Sequence, residues 1–253
     1  MQLQNVRAIV TGAASGLGYH FALELARAGA MVAAGDIDLN GLNRLKDETA
    51  KLAGTVLTQK LDVSHEPSVV AFINEVSEQF KGVNLLVNNA GILRDGLLAK
   101  AETGWVKKLP TALWKQVIDV NLTGPYLMAR EMVADVIKRG VKESLIVNIS
   151  SISRSGNPGQ SNYAASKAGL DATTRTWGLE LAEHGVRVGG IAPGLIDTPI
   201  LRHVSEESKA SMISEIPLRR IGTPHEVWLA LKFIIECDYF TARVIEVDGG
   251  STF

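Results

Sequence analysis

The feature that most limits the folds open to this chain lies near its start. A short apolar strand, Val6-Arg7-Ala8-Ile9-Val10, runs straight into Thr11-Gly12-Ala13-Ala14-Ser15-Gly16-Leu17-Gly18. A helix pattern follows to Arg27 and closes at Gly29, a C-cap position. Strand, glycine loop and helix in that order form the context in which glycines serve phosphate binding. The backbone approaches a pyrophosphate closely there, and the helix N-terminus offers N–H groups and the positive end of its dipole. A second strand, Met31 to Gly35, ends at Asp36. A carboxylate there accepts hydrogen bonds from the adenosine ribose hydroxyls and repels a 2′-phosphate. No Lys or Arg stands in the loop or immediately after Asp36, so the pattern predicts NAD(H) rather than NADP(H). The glycines alone describe a tight turn equally well. The flanking strand, helix and acid favour a dinucleotide site.

The alternation continues. Thr55 to Leu61 is a strand ending at Asp62-Val63, and Ser64 with Glu66-Pro67 opens the next helix. Asn84 to Val87 ends in Asn88-Asn89-Ala90-Gly91, and a helix over Trp114 to Val120 continues through Asn121 towards Ile137. Ser144 to Ile149 ends in Ser150-Ser151, Arg187 to Ile191 in Ala192-Pro193-Gly194, and Arg243 to Val247 in Asp248-Gly249-Gly250. Strands separated by helices predict right-handed crossovers and one α/β domain over residues 1–253, a Rossmann-type doubly wound parallel sheet with helices on both faces. Ligands bind such sheets at the carboxyl ends of the strands, where the polar and glycine clusters fall.

Near-balanced charge, 26 basic against 27 acidic residues, advertises no polycationic surface for nucleic acid. No apolar run approaches a membrane span of about 18–20 residues, and no signal-like segment opens the chain. The expectation is a cytoplasmic protein. Cys237 is the single cysteine, which excludes an internal disulfide and a multi-cysteine metal site; its neighbours predict a small buried residue. His20, His65, His184, His203 and His225 lack metal-ligand spacing, and no metal is expected.

Ser161 to Gly169 reads as a helix start, which puts Tyr163 and Lys167 on one face, one turn apart. A phenol with a pKa of about 10 is a poor proton carrier at neutral pH, and an ammonium one turn away is expected to pull that pKa down. Most such pairs are plain helix surface. Here the helix follows the strand ending in the serines, so the pair converges with the other clusters at one rim.

Together, TGAASGLG at 11–18, NNAG at 88–91, Asn121, the paired serines, YAASK at 163–167 and PG at 193–194 resemble the short-chain dehydrogenase/reductase family over nearly the whole chain. The resemblance implies that Tyr163 is the catalytic acid–base, that Lys167 lowers its pKa and holds the nicotinamide ribose, and that Asn121 holds a water in a proton relay. It implies cofactor contacts from Gly12, Ser15, Gly16, Leu17, Gly18, Asp36, Ile37, Asp62, Val63, Asn89, Ala90, Gly91, Tyr163, Lys167, Pro193, Gly194, Ile196 and Thr198. It implies a serine that polarises the substrate oxygen. The family's usual spacing, thirteen residues before Tyr163, gives Ser150, whereas the strand end gives Ser151. Rigidity of the strand end favours Ser151. It further implies a substrate lid over about 195–216, carrying Leu201, Val204, Met212 and Ile213, and a homotetramer.

The pattern is most similar to 3-oxoacyl-thioester reductases and 3-hydroxyacyl-CoA dehydrogenases of that family, so a small hydroxy or keto thioester is the expected substrate. A free secondary alcohol, steroid or sugar-derived hydroxyl is the alternative, and a non-catalytic dinucleotide-binding protein the distant one. The stretch over about 93–110 is longer than the common family loop. Lys100 to Trp105 is expected to turn as a hairpin, either as a surface excursion or as substrate rim, and Lys100, Lys107, Lys108, Arg202 and Lys209 are available to an anionic thioester carrier.

Overall fold

In the computed structural model, which describes residues 1–199, 201 and 205–251, the apolar runs become strands and the periodic runs helices. β1 (Arg7–Thr11), α1 (Gly16–Arg27), β2 (Met31–Asp36), α2 (Leu39–Thr49), β3 (Thr55–Lys60), α3 (Glu66–Phe80) and β4 (Leu85–Asn88) alternate strictly. An antiparallel pair, β5 (Ala99–Glu102) and β6 (Trp105–Lys108), then interrupts the pattern. It resumes with α4 (Thr111–Ile118), α5 (Gly124–Arg139), β7 (Ser144–Ile149), α6 (Ser161–Glu180), β8 (Val186–Pro193), α7 (Glu206–Glu215), α8 (Pro224–Glu236) and β9 (Arg243–Val247).

Seven strands make one parallel sheet in the order β3-β2-β1-β4-β7-β8-β9. Successive side chains on a strand point to opposite faces, and this splits the core in two. Ala8, Val10, Leu85, Val87, Leu145 and Val147 pack with Phe21, Leu25, Trp228 and Leu231 of α1 and α8. Ile9, Leu86 and Ile146 pack with Phe72, Val76, Met128 and Met132 of α3 and α5. The expected doubly wound sheet is therefore present. Its strand order reverses between β1 and β4, and that switch point opens a crevice at their carboxyl ends.

Local signals account for the element ends. Thr223 and Glu226 form a reciprocal capping box at the start of α8, with Pro224 in its first turn. A two-residue turn, Thr103-Gly104, joins β5 to β6, with Gly104 at φ +80°. The hairpin expected from Lys100 to Trp105 forms, and every residue of β6 is exposed.

Two expectations change. The helix expected to run unbroken from Trp114 towards Ile137 is divided by a π turn over Asp119–Thr123, which places an extra residue in the helix at Asn121. Cys237 is half-buried rather than buried: it sits at the C-cap of α8, one residue past the end of the helix at Glu236 and beyond the buried Ile234 and Ile235. In the expected lid, α7 buries no side chain, and Met212 is 42 % exposed. Ile200, Arg202, His203 and Val204, which the lid expectation also used, lie outside the described residues. Among the described residues no helix is long and apolar enough to cross a membrane.

Candidate active site

The glycine loop leaves β1 and enters α1 at the crevice. Gly12 sits at φ +66°, and a Cβ there would meet Ala90 Cα at 2.8 Å. A Cβ on Gly18 would lie 2.2 Å from the Gly12 carbonyl oxygen. These contacts press the loop against the Asn89-Ala90-Gly91 segment. Thr11, which the sequence reading left without a role, fastens the two. Its Oγ1 accepts from the backbone N–H groups of Asn89 and Ala90, both at 3.0 Å. Asn89 Nδ2 donates back to the carbonyls of Thr11 and Gly12 at 3.0 and 3.1 Å.

Asp36 at the end of β2 completes the cradle. Its carboxylate accepts from Ala14 N and from Asp38 N, both at 2.9 Å, so its position is fixed. The first turn of α1 carries no acidic residue, and the hydroxyl of its N-cap, Ser15, makes no capping bond. An uncompensated positive helix end, a free hydroxyl and a glycine-lined approach fit a pyrophosphate. Ile37, exposed at 66 %, joins Lys60, Asp62, His65 and Ser68 around a hollow beside Asp36. Lys60 was missed from the sequence; it lies opposite Asp36 in the β2–β3 register. Asp62 is held by Ser64 at 2.6 Å, and Val63 is buried against α5. Pro193 ends β8, and Gly194 N donates to Val247 O at 2.9 Å. Ile196 is buried, and a Cβ on Gly16 would come within 3.7 Å of Thr198 Cβ, so Thr198 borders the loop. Leu17 packs partly buried against the core under α1.

Ser150 and Ser151 follow β7 and diverge. Ser151 Oγ accepts from Ser153 N at 3.1 Å and caps a 3-10 turn over Ile152–Ser155. The Ser151 hydroxyl faces the Tyr163 phenol. Ser150, buried at 4 % exposure, turns to α6, where its Oγ donates to Lys167 O at 3.4 Å and faces Asp171.

The expected effect of Lys167 on Tyr163 is not found. Burial pushes the Tyr163 pKa up, Ser151 opposes this, and Asp95 pushes it further up. Lys167 is 4 % exposed and donates from Nζ to Ile149 O at 2.7 Å. Burial drives its own pKa down to about 8, while Asp171 acts in the opposite sense. Nζ lies 5.5 Å from the centroid of the Tyr163 ring, so helix spacing does bring the pair together.

Asn121 is fully buried in the π turn. Its Oδ1 accepts from Ile92 N at 2.8 Å, and its Nδ2 donates to Ile92 O at 3.0 Å. The side chain thus holds the strand-end loop that carries Gly91. Asn162, also fully buried and missed from the sequence, donates to Arg94 O at 3.0 Å and accepts from Tyr163 N at 2.8 Å. Gln160 bonds Asp95 at 3.1 Å, and Gly96 N donates to Gly159 O at 2.8 Å. The root of the hairpin insertion is therefore tied to the start of α6, beside Tyr163.

Comparison with known proteins bears on this arrangement. A family model described as enoyl-(acyl carrier protein) reductase, of the short-chain dehydrogenase type, matches residues 12–252. The chain is 39 % identical over 253 residues to a 3-oxoacyl-(acyl-carrier-protein) reductase of Thermotoga maritima, covering 99 % of each. It is 33 % identical over 252 residues to a (2S)-((R)-hydroxy(phenyl)methyl)succinyl-CoA dehydrogenase subunit of Thauera aromatica, covering 99 % of this chain and 98 % of that one. A crystal structure described as a short-chain alcohol dehydrogenase from Sinorhizobium meliloti superposes with a TM-score of 0.87 at 29 % identity, covering 97 % and 96 % of the two chains.

Proposed function

Because this chain belongs to the short-chain dehydrogenase/reductase family, we propose that it interconverts a 3-hydroxyacyl and a 3-oxoacyl thioester with NAD(H), using Tyr163 as acid–base. The coarser statement is firm: the chain is an oxidoreductase acting on hydroxyl and keto groups with a nicotinamide dinucleotide. The observation that carries the finer reading is the facing pair Ser151 and Tyr163, with Lys167 one turn behind, on the rim shared with the glycine loop.

When bound, the dinucleotide supplies or accepts the hydride at the carbonyl carbon. In this reading Gly12, Ser15, Gly16, Leu17 and Gly18 hold the pyrophosphate, and Asp36, Ile37, Asp62 and Val63 hold the adenosine. Asn89, Ala90, Gly91, Pro193, Gly194, Ile196 and Thr198 line the nicotinamide side, with Tyr163 and Lys167 at its ribose. Tyr163 Oη gives its proton to the substrate oxygen as that oxygen gains negative charge. A phenol whose pKa is raised by burial stays protonated at neutral pH, which suits a donor. Ser151 donates to the same oxygen; its Oγ only accepts from Ser153 N, so its O–H is not used by the turn it caps. Asn121 acts by clamping the Gly91-Ile92 backbone.

Two relatives named for thioester substrates support the substrate class. Asp36 supports NAD(H); Lys60 beside it favours NADP(H) as the second reading of the cofactor. A lid over about 195–216, a cytoplasmic setting and a homotetramer belong to the same proposal. Tyr126 on α5 and Leu179 on α6, 46 % and 69 % exposed, support helix packing between subunits.

The test is oxidation of NADH with acetoacetyl-CoA against a panel of free ketones, with NADPH in parallel. Turnover of the thioester with NADH is expected. Activity on free ketones alone would assign a secondary-alcohol dehydrogenase, preference for NADPH would overturn the role given to Asp36, and no turnover on either would leave the family standing and the thioester reading without support.

A further inference from the structure

We propose that Asp171 is a positioning residue of this site: it backs Lys167 with a carboxylate and, through Arg154, fastens the serine-bearing turn to α6. The inference rests on the roles given above to Ser151, Tyr163 and Lys167.

Tyr163, Lys167 and Asp171 recur every four residues and so form one stripe along α6. A basic residue four positions before an acidic one is the less favourable order for an exposed helix pair, so helix stability gives little reason for the placement. The surroundings give a better one. Lys167 faces the Ile149 carbonyl from the end of β7, Tyr163 from its own helix, and Gly91 from the loop after β4. The charge that opposes its burial comes from Asp171.

Asp171 is in turn enclosed by other groups. Arg154 Nε lies 2.8 Å from Oδ2, and the two side chains are only 18 % and 21 % exposed. Ser150 faces the carboxyl from the end of β7, and Glu246 of β9 takes the other arm of Arg154. Oδ1 is buried with no hydrogen-bond partner among the described residues, and Lys167 stands one helical turn before the carboxylate.

Arg154 belongs to the 3-10 turn that Ser151 caps. The Arg154–Asp171 bridge therefore ties the turn carrying Ser151 to the helix carrying Tyr163 and Lys167. A shielded ion pair of this kind fixes geometry more effectively than a surface pair, because neither side chain is free to swing into water. One carboxylate thus serves both partners of the phenol.

Two measurements test this. The first is the titration of Lys167 by NMR on protein with 13C-labelled lysine, assigned by Lys167→Met, in the wild type, Asp171→Asn and Asp171→Ser. Loss of the carboxylate is expected to lower the Lys167 midpoint by about one unit, and an unchanged midpoint overturns the proposal. The second is the pH profile of kcat/KM for whichever carbonyl substrate turns over. In Asp171→Asn the alkaline limb is expected to move to lower pH, with about a tenfold loss at the pH where the wild type is still active, and Asp171→Glu to restore it. A fall in kcat with the limb in place would make the role merely structural. Tyr163→Phe separates the premises: if that variant stays active, the assignment of the site fails, whereas an inactive Tyr163→Phe beside an unshifted Asp171→Asn sinks this inference alone.

Discussion

At the scale of single residues, adjacency in sequence and adjacency in chemistry part company. Ser150 and Ser151 are neighbours, yet one faces Asp171 and the other Tyr163. Counting back from Tyr163 picks Ser150, whereas the strand end picks Ser151, and consecutive side chains there leave on opposite sides. Ser151→Ala is accordingly expected to lower kcat about 10²–10³-fold, as loss of a donor to a developing oxyanion does, while Ser150→Ala leaves most of it. Steady-state turnover of the two variants settles the order, and the reverse ranking would move the role to Ser150. Lys167 is the corresponding lesson in charge. Four-residue spacing placed it beside Tyr163, but burial, which spacing does not report, reverses the sign of the phenol shift and lowers the lysine itself.

At the scale of elements, two departures from the regular alternation matter. The π turn over Asp119–Thr123 turns Asn121 inward onto Ile92, and no periodicity in the sequence announces a single extra residue within a helix. The β5–β6 hairpin was legible from Lys100 to Trp105, but its surroundings were not. Register sets Lys100 opposite Lys107, a like-charge pair that disfavours the hairpin, and Lys100 also bridges Glu102 at 3.1 Å. Its root is bonded to the residues just before Tyr163, and the proposed thioester reading predicts that an anionic carrier meets these lysines. The double variant Lys100→Glu/Lys107→Glu is expected to raise KM for acetoacetyl-CoA about tenfold and leave KM for a free ketone unchanged, since only the first substrate carries phosphates. Equal KM values for both substrates before and after would return the hairpin to plain surface.

At the scale of the whole molecule, the parallel sheet brings residues far apart in the chain to one crevice and buries charge there. A buried polar relay, Asn88 to Asn148 at 2.9 Å and Asn148 to Thr174 at 2.9 Å, crosses from β4 through β7 to α6 and locks the helix that carries Tyr163 against the sheet. Burying Lys167 has a consequence for folding. Its pKa is about 8 when folded against 10.5 ordinarily, so between those values the unfolded chain binds more protons and stability rises with pH. Below about pH 8 both states are protonated and the burial penalty is fully present; above about 10.5 it vanishes. Denaturant unfolding at pH 7 and pH 9.5 is expected to show the wild type gaining stability relative to Lys167→Met across that interval, and a constant difference would contradict the assigned shift. The sequence by itself determined the strand–helix alternation, the parallel sheet, the glycine loop with Asp36, and the identity of the Tyr163–Lys167 pair, because these depend on local periodicity, turn chemistry and motif spacing. The tertiary structure alone decided which serine faces the phenol, that Asn121 and Thr11 act as clamps, that Lys60 stands beside Asp36, and that Asp171 and Arg154 lie behind Lys167. Those depend on how strands register and how deeply groups are buried, and neither quantity is written in any short stretch of chain.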